Sequence, residues 1–266
     1  MSTPRIVVAD AFASAAFSGN PAAVCLVDKL PSDSACQQIA AELNLSETAF
    51  PIARGDGSWD LRWFTPTTEV ELCGHATLAT AHVLWTEGIT TSHQLRFHSA
   101  GGELCASRDD EHIWLDFPAL SSEPTSGTDA LWEALGCMPL AVQASHYDLL
   151  IEVDSAETVR LLKPDFAILR TLGWRAIIVT ATGEDGYDVI SRCFAPAAGI
   201  NEDPVTGSAH CVLGPYWSRR LHRNELRCYQ ASQRGGEVLV HHHGARVALG
   251  GKAVTVWRGS LAATVA

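Results

Sequence analysis

Apolar and polar positions alternate along this chain in short blocks, and the blocks predict a mixture of strands and helices. Residues 5–9 and 24–28 are apolar and rich in β-branched side chains, so they are read as strands. They flank Phe17-Ser18-Gly19-Asn20-Pro21, a loop of turn formers. Residues 33–43 carry alanines and larger apolar residues at helical spacing behind a Ser32 or Asp33 cap, and Asn44 ends that helix. The stretch from Glu47 to Ala53 resumes as a strand. A helix is predicted over 75–86; Ala76, Ala79 and Ala81 let strands approach closely, which places it at a buried centre. Another is predicted over 208–220, where the internal Pro215 should kink or shorten it. Asp154 and Glu157 suggest a capping box for a helix from 155. From 224 onward the pattern is short strands broken at Arg234-Gly235-Gly236, His243-Gly244 and Gly250-Gly251.

The order of these blocks repeats. Arg62-Trp63-Phe64-Thr65-Pro66 leads to Gly74-His75-Ala76 and then to Gly101-Gly102-Glu103-Leu104. Arg192-Cys193-Phe194-Ala195-Pro196 leads to Gly207-Ser208-Ala209 and then to Gly235-Gly236-Glu237-Val238. The interval from Gly74 to Gly101 matches that from Gly207 to Gly235 to within one residue. The repeat is far longer than the roughly 20–50 residues of a solenoid unit. It therefore implies two homologous α/β half-domains, with residues 119–128 as the linker candidate. A ligand site is expected in the crevice between such halves, with equivalent loops presented by each.

Composition narrows the function classes. The 266 residues, 47% hydrophobic and 18% charged, suit two globular half-domains. A formal net charge of −11 offers no basic stripe for nucleic acid. No apolar run approaches the ~18 residues of a membrane span, and the N-terminus reads as a strand rather than a signal peptide. Eight cysteines without C-x-x-C spacing imply neither a zinc module nor a disulfide framework, so a cytoplasmic protein with free thiols is expected. No nucleotide-binding G-x-G-x-x-G or P-loop is present, and no cofactor is expected.

Candidate chemistry gathers where each central helix begins. Glu71-Leu72-Cys73-Gly74-His75 runs into the first and Asp203-Pro204-Val205-Thr206-Gly207-Ser208 into the second. Glycine at a helix start admits a ligand to unpaired N–H groups, which favour an anion, although a tight turn alone also explains it. The matched pair favours a carboxylate site at Gly74, Gly207 and Ser208. His75 in a first helical turn is expected to be neutral, either bonding a substrate or simply capping. Asp203 is a turn residue or a site carboxylate. Glu47 lies at the edge of an apolar strand, where desolvation should raise its pKa and make it a base near neutrality; the plainer alternative is an exposed strand-start glutamate. Cys73 beside the helix start is a nucleophile or proton-carrier candidate, because a helix N-terminus lowers a thiol pKa. His241-His242-His243 suggests a metal, but neighbours on a strand point to opposite faces, so no metal site is expected there.

Several motifs together resemble the PhzF phenazine-biosynthesis family: Asp10-Ala11-Phe12 with Gly19-Asn20-Pro21-Ala22, Ser46-Glu47-Thr48, Leu72-Cys73-Gly74-His75-Ala76-Thr77, and Asp203-Pro204-Val205-Thr206-Gly207-Ser208-Ala209-His210. The resemblance spans essentially the whole chain. It implies the diaminopimelate epimerase fold, two pseudo-symmetric halves that each curl a sheet around a central helix. It also implies that 253–266 joins residues 1–118 in the first half, leaving 119–252 as the second. The family's acid/base glutamate falls on Glu47, its helix-start histidine on His75 and its site aspartate on Asp203. Gly74, Cys73, Gly207, Ser208, Asn20, Gly101 and Gly235 complete the expected substrate-binding set. The implied function is a cofactor-free isomerase, expected to be a homodimer, that moves a proton on a small carboxylate-bearing substrate. Ser232-Gln233-Arg234-Gly235-Gly236-Glu237 looks closer to the broad branch of the family than to its phenazine enzymes. The related epimerases use two cysteines; this chain has Cys73, but Val205-Thr206-Gly207 lies where the second would be. Inversion needs a base on each face, whereas a suprafacial shift needs one, so isomerisation is favoured. An amino-acid epimerase or racemase, and a non-catalytic small-molecule-binding protein, stay open as alternatives.

Overall fold

The computed structural model describes residues 3–262. Two compact units are formed, one from the chain up to Asp116 and again from Gly250, the other from Phe117–Leu249. Among the described residues no helix is long and apolar enough to cross a membrane.

The first unit opens with β1 (Arg5–Ala11), β2 (Asn20–Leu26), α1 (Asp33–Leu43) and β3 (Glu47–Ala53). It continues through β4 (Trp59–Phe64), β5 (Glu69–Val70), α2 (Gly74–Thr86), β6 (Gln94–Ser99), β7 (Gly102–Arg108) and β8 (Ile113–Pro118). The expected turn-former loop stops at Gly19, since Asn20 and Pro21 already pair with β1. Helix α1 starts at Ser32, whose side chain accepts from the Ala35 N–H, and ends where Asn44 turns left-handed at φ 49°. Its apolar face, Cys36, Ile39 and Ala40, packs on Ile6, Ala23, Cys25, Phe50 and Phe64 of the strands. Helix α2 is buried on nearly all sides from His75 to Trp85, as its small residues imply.

The second unit runs through β9 (Glu123–Pro124), α3 (Asp129–Leu135), β10 (Ala141–Ala144), β11 (Asp148–Glu152), α4 (Ala156–Leu161) and α5 (Phe166–Leu169). Then follow β12 (Ala176–Thr182), β13 (Val189–Ala195), β14 (Ile200–Asp203), α6 (Gly207–Leu221), β15 (Glu225–Gln230), β16 (Gly236–His243) and β17 (Arg246–Gly251). The last strand, β18 (Ala253–Ser260), pairs antiparallel with β1. Residues 263–266 lie outside the described residues.

The repeat read from the sequence is a repeat of topology. In the first unit β2 and β3 are parallel, β3–β4 and β4–β5 antiparallel, β4–β6 parallel and β6–β7 antiparallel. The second unit repeats this with β11–β12 parallel, β12–β13 and β13–β14 antiparallel, β13–β15 parallel and β15–β16 antiparallel. Each central helix, α2 or α6, is the crossover between the two parallel strands that flank it. Both halves are therefore the same α/β design.

Two local expectations are corrected, and the shortening expected at Pro215 does not occur. Residues 119–128 are not a bare linker, because the Ala119 N–H bonds the Ala245 carbonyl and β9 pairs with β10. The helix after Asp154 is capped by Ser155, whose side chain accepts from Thr158, while Asp154 takes the Thr158 hydroxyl instead. Helix α6 passes through Pro215 without ending. Proline removes the N–H that would bond the carbonyl four residues back, which belongs to Cys211. That carbonyl is bonded instead by the Leu120 N–H at 3.0 Å.

Candidate functional site

The start of α2 gathers the chemistry of the first unit. Glu47 is the first residue of β3, Cys73 the N-cap of α2 and His75 its second residue. Glu47 Oε2 lies 2.9 Å from His75 Nε2, and all three side chains are nearly buried. The ring N–H is poorly aligned on that oxygen, so Oε2 is buried with no hydrogen-bond partner among the described residues. Cys73 Sγ is 3.6 Å from His75 Nδ1 and 4.0 Å from Nε2. Asn20, wholly buried at the head of β2, places its amide nitrogen 3.2 Å from His75 Nδ1, and its oxygen accepts from Ser46 Oγ at 3.1 Å. Asn20 thus packs its amide between the His75 ring and Ser46.

This packing reverses three titration expectations. Burial pushes the Glu47 carboxyl up, but the His75 charge and the polar contacts of His75 and Cys73 together pull it below its ordinary 4.5. Burial pushes His75 down, but Cys73 and Glu47 raise it well above 6.5; Glu47 is the partner charged at neutrality. A cation at a helix start is penalised by only about 0.3–1 kcal/mol. Opposite charges 2.9 Å apart and nearly buried favour the charged ring more strongly, so the carboxylate wins. Burial also outweighs the helix end at Cys73, whose thiol is pushed up to about 11, with Glu47 adding to the rise. At neutral pH the group is an ion pair beside a protonated thiol.

The start of α6 is the counterpart in the second unit. Asp203 ends β14, and its carboxylate accepts from Thr206 Oγ1 at 2.6 Å. Gln230, fully buried, accepts from the Thr206 N–H and donates to the Asp203 carbonyl. Gly207 and Ser208 form the first turn. Neither α2 nor α6 has a side-chain cap on its first N–H groups. The repeat extends to the first-turn back-bonds, since Thr77 Oγ1 donates to the Cys73 carbonyl and His210 Nδ1 to that of Thr206. The two matched hairpin glycines have packing reasons of their own. A Cβ on Gly101 would meet the Glu71 carbonyl at 2.6 Å, and one on Gly235, at φ +65°, the Tyr229 hydroxyl at 2.0 Å.

Sequence reading missed Arg175. Its guanidinium grips the buried Asp148 carboxylate at 2.8 and 2.5 Å and reaches Ser208 Oγ at 3.4 Å. The available signal was Asp148 itself, an aspartate opening an apolar strand and therefore in need of a cation. The His241–His243 run closes β16, with the 241 and 243 rings 6.3 Å apart and His242 against the Gly244 carbonyl.

His210 gives a pH test of the second centre. It is wholly buried and its Nε2 has no partner among the described residues. Burial pushes its pKa from 6.5 down to about 4, against a smaller upward pull from the Thr206 carbonyl. Below pH 6.5 the unfolded chain takes a proton that the folded one refuses until about pH 4. Its contribution to stability therefore falls as pH drops through that window. In thermal melts, His210→Gln should flatten the slope between pH 6.5 and 4; an unchanged slope would rule out this role.

Comparison with known proteins places these centres in a family. The model of the phenazine biosynthesis-like protein family matches residues 9–259. An uncharacterized isomerase of Halalkalibacterium halodurans is 50% identical over 266 residues, covering 98% of this chain and 99% of its own. The crystal structure of a PhzF-family protein from Enterococcus faecalis superposes with a TM-score of 0.94 at 41% identity, covering 98% and 99% of the two chains. A Pseudomonas aeruginosa protein described as a predicted epimerase shares the fold, at a TM-score of 0.74, 22% identity and coverage of 98% and 100%. With its paired half-domains of epimerase-like topology and a family match from residue 9 to 259, the chain belongs to the phenazine biosynthesis-like, or PhzF, family.

Proposed function

We propose that this protein is a cofactor-independent isomerase that shifts a proton within a small carboxylate-bearing substrate, with Glu47 as the acid/base. The observation that carries this reading is the buried Glu47 Oε2, held ionised beside His75 and lacking an aligned donor. Such an oxygen has a free lone pair for a substrate proton. Glu47 takes the proton from one carbon, the electron pair moves through the adjacent double bond, and the same carboxyl returns the proton at the far carbon. His75 then serves as the charge partner that keeps Glu47 ionised at rest, and Asn20 fixes the charged ring by turning its amide oxygen toward the Nδ1–H. Within the first unit Gly74 offers an uncapped N–H to a substrate carboxylate, and within the second Gly207 and Ser208 offer the same feature at the start of α6. We assign the activity to a cytoplasmic homodimer.

The experiment is deuterium incorporation from solvent, read by mass spectrometry, with a panel of cyclic carboxylic acids that includes a dihydro-hydroxyanthranilic acid. Exchange with isomerisation supports the proposal, and exchange with inversion at one carbon supports an epimerase. The Cys73–His75 contact is the one feature that favours the epimerase. A one-base shift does not need the thiol, and a thiol raised to about 11 is a poor base at neutrality. Cys73→Ser is therefore expected to keep at least about half of the turnover. Its complete inactivation, with the melting curve intact, would move the assignment to the two-base reaction.

A further inference from the structure

We propose that Glu47, Cys73 and His75 also form a binding site for a thiophilic divalent cation such as zinc, and that the bound ion is an inhibitor. Among the described residues they are the cluster of three metal-donor side chains whose ligand atoms all lie within 4.8 Å of one another. His75 Nε2 is the atom that faces both others, 2.9 Å from Glu47 Oε2 and 4.0 Å from Cys73 Sγ. A tetrahedral zinc with bonds of about 2.0–2.3 Å holds neighbouring donors roughly 3.3–3.8 Å apart. The two pairs that share His75 reach that spacing if the carboxylate draws back by about half an ångström and the thiol closes by a few tenths, and the Cys73–Glu47 pair, within 4.8 Å, closes by up to about 1 Å through side-chain rotation. Within the cluster, the Glu47 oxygen is buried and lacks a hydrogen-bond partner. An ion satisfies it.

The donor chemistry selects the ion. One sulfur, one imidazole nitrogen and one carboxylate oxygen suit zinc, cobalt or cadmium, whereas calcium and magnesium prefer oxygen alone. Charge balance favours the exchange. Before binding, the cluster holds the thiol proton and one proton shared by Glu47 and His75, and it is neutral. A divalent ion releases both protons to solvent and binds a thiolate, a carboxylate and a neutral imidazole, so the buried site is neutral again. The second shell is also present. Nδ1 faces the Asn20 amide, which turns its oxygen to accept the ring N–H while Ser46 Oγ changes from donor to acceptor. Three protein ligands leave a fourth position open to water or a small anion. The metal occupies the oxygen assigned to proton transfer, so it blocks that reaction; its binding does not depend on what the reaction is.

The test uses the whole reduced protein and cobalt(II), with zinc as competitor. The expected result is one tight equivalent with intense visible bands of tetrahedral cobalt and a thiolate-to-metal charge-transfer band in the near ultraviolet, all displaced by zinc. Cys73→Ser should remove the charge-transfer band, and Glu47→Gln should weaken binding measured against a chromophoric chelator. Asn20→Ala should weaken it by about 10–100-fold, as second-shell losses do. A variant with His241 and His243 both replaced by alanine, and another with the exposed Cys105 replaced by serine, should keep the stoichiometry and the bands. Melting curves establish that each variant is folded. The proposal is overturned if the charge-transfer band survives in folded Cys73→Ser, or if the bands follow His241 and His243 or Cys105 instead. The isomerase assignment is judged separately, by deuterium exchange without metal.

Discussion

Glu47→Gln should keep the fold and ligand affinity and lose turnover by about 10²–10⁴-fold, the usual contribution of a positioned proton-transfer group. The amide keeps the shape and the polar contacts at the head of β3 but cannot accept a proton. It also removes the counter-charge of His75, a nearly buried ring, so the imidazole should become neutral in the variant. On the proposed mechanism Glu47 must be ionised to begin the reaction. Because its carboxyl is held below 4.5, the acid limb of activity should fall below that value. The measurement is solvent deuterium incorporation against pH for wild type and variant. Wild-type turnover by the glutamine variant would transfer the role to His75 or Cys73.

A second large effect is expected at Gly19, before the strand that delivers Asn20. Its φ of +65° is left-handed, and an added Cβ would stand 2.2 Å from the Ala11 carbonyl oxygen and 2.8 Å from Ala13 Cβ. That oxygen belongs to the end of β1, held between β2 and β18, and cannot swing aside like a flexible side chain. Gly19→Ala should therefore combine backbone strain with overpacking, destabilising the protein by roughly 2–6 kcal/mol in urea titrations. Gly57 separates the two causes. It is also left-handed, at +82°, but no atom lies within 4 Å of its Cβ position. Gly57→Ala should cost only the strain, about 1–2 kcal/mol. Equal losses at the two glycines would show that the close contact at Gly19 is relieved by local movement.

Much of this architecture was legible because it is written in local patterns. The strand and helix periods, the Ser32 cap and the Asn44 stop depend on residues a few positions apart. The internal repeat gave the second half from the first, and the family motifs located Glu47, Cys73 and His75. The charge states were less legible. A helix start favours a thiolate and a neutral imidazole, but burial of Cys73 and a carboxylate from another strand decide against both. Arg175 and Gln230 were missed for the same reason, since each acts through partners far away in sequence. Long-range pairing is what a single sequence does not spell out.

The bond from Leu120 to the Cys211 carbonyl makes α6 a composite element. Its own fifteen residues contain the proline but not the donor that replaces the missing N–H. Grafting 207–221 onto another scaffold would transplant the defect without its repair. A second half-domain excised to begin after residue 120 would carry the same fault. In chain order the repair precedes the defect, so a nascent chain has its donor ready before the proline is made. Any recombination point chosen between the halves should therefore fall before Leu120, leaving that residue and α6 with one parent.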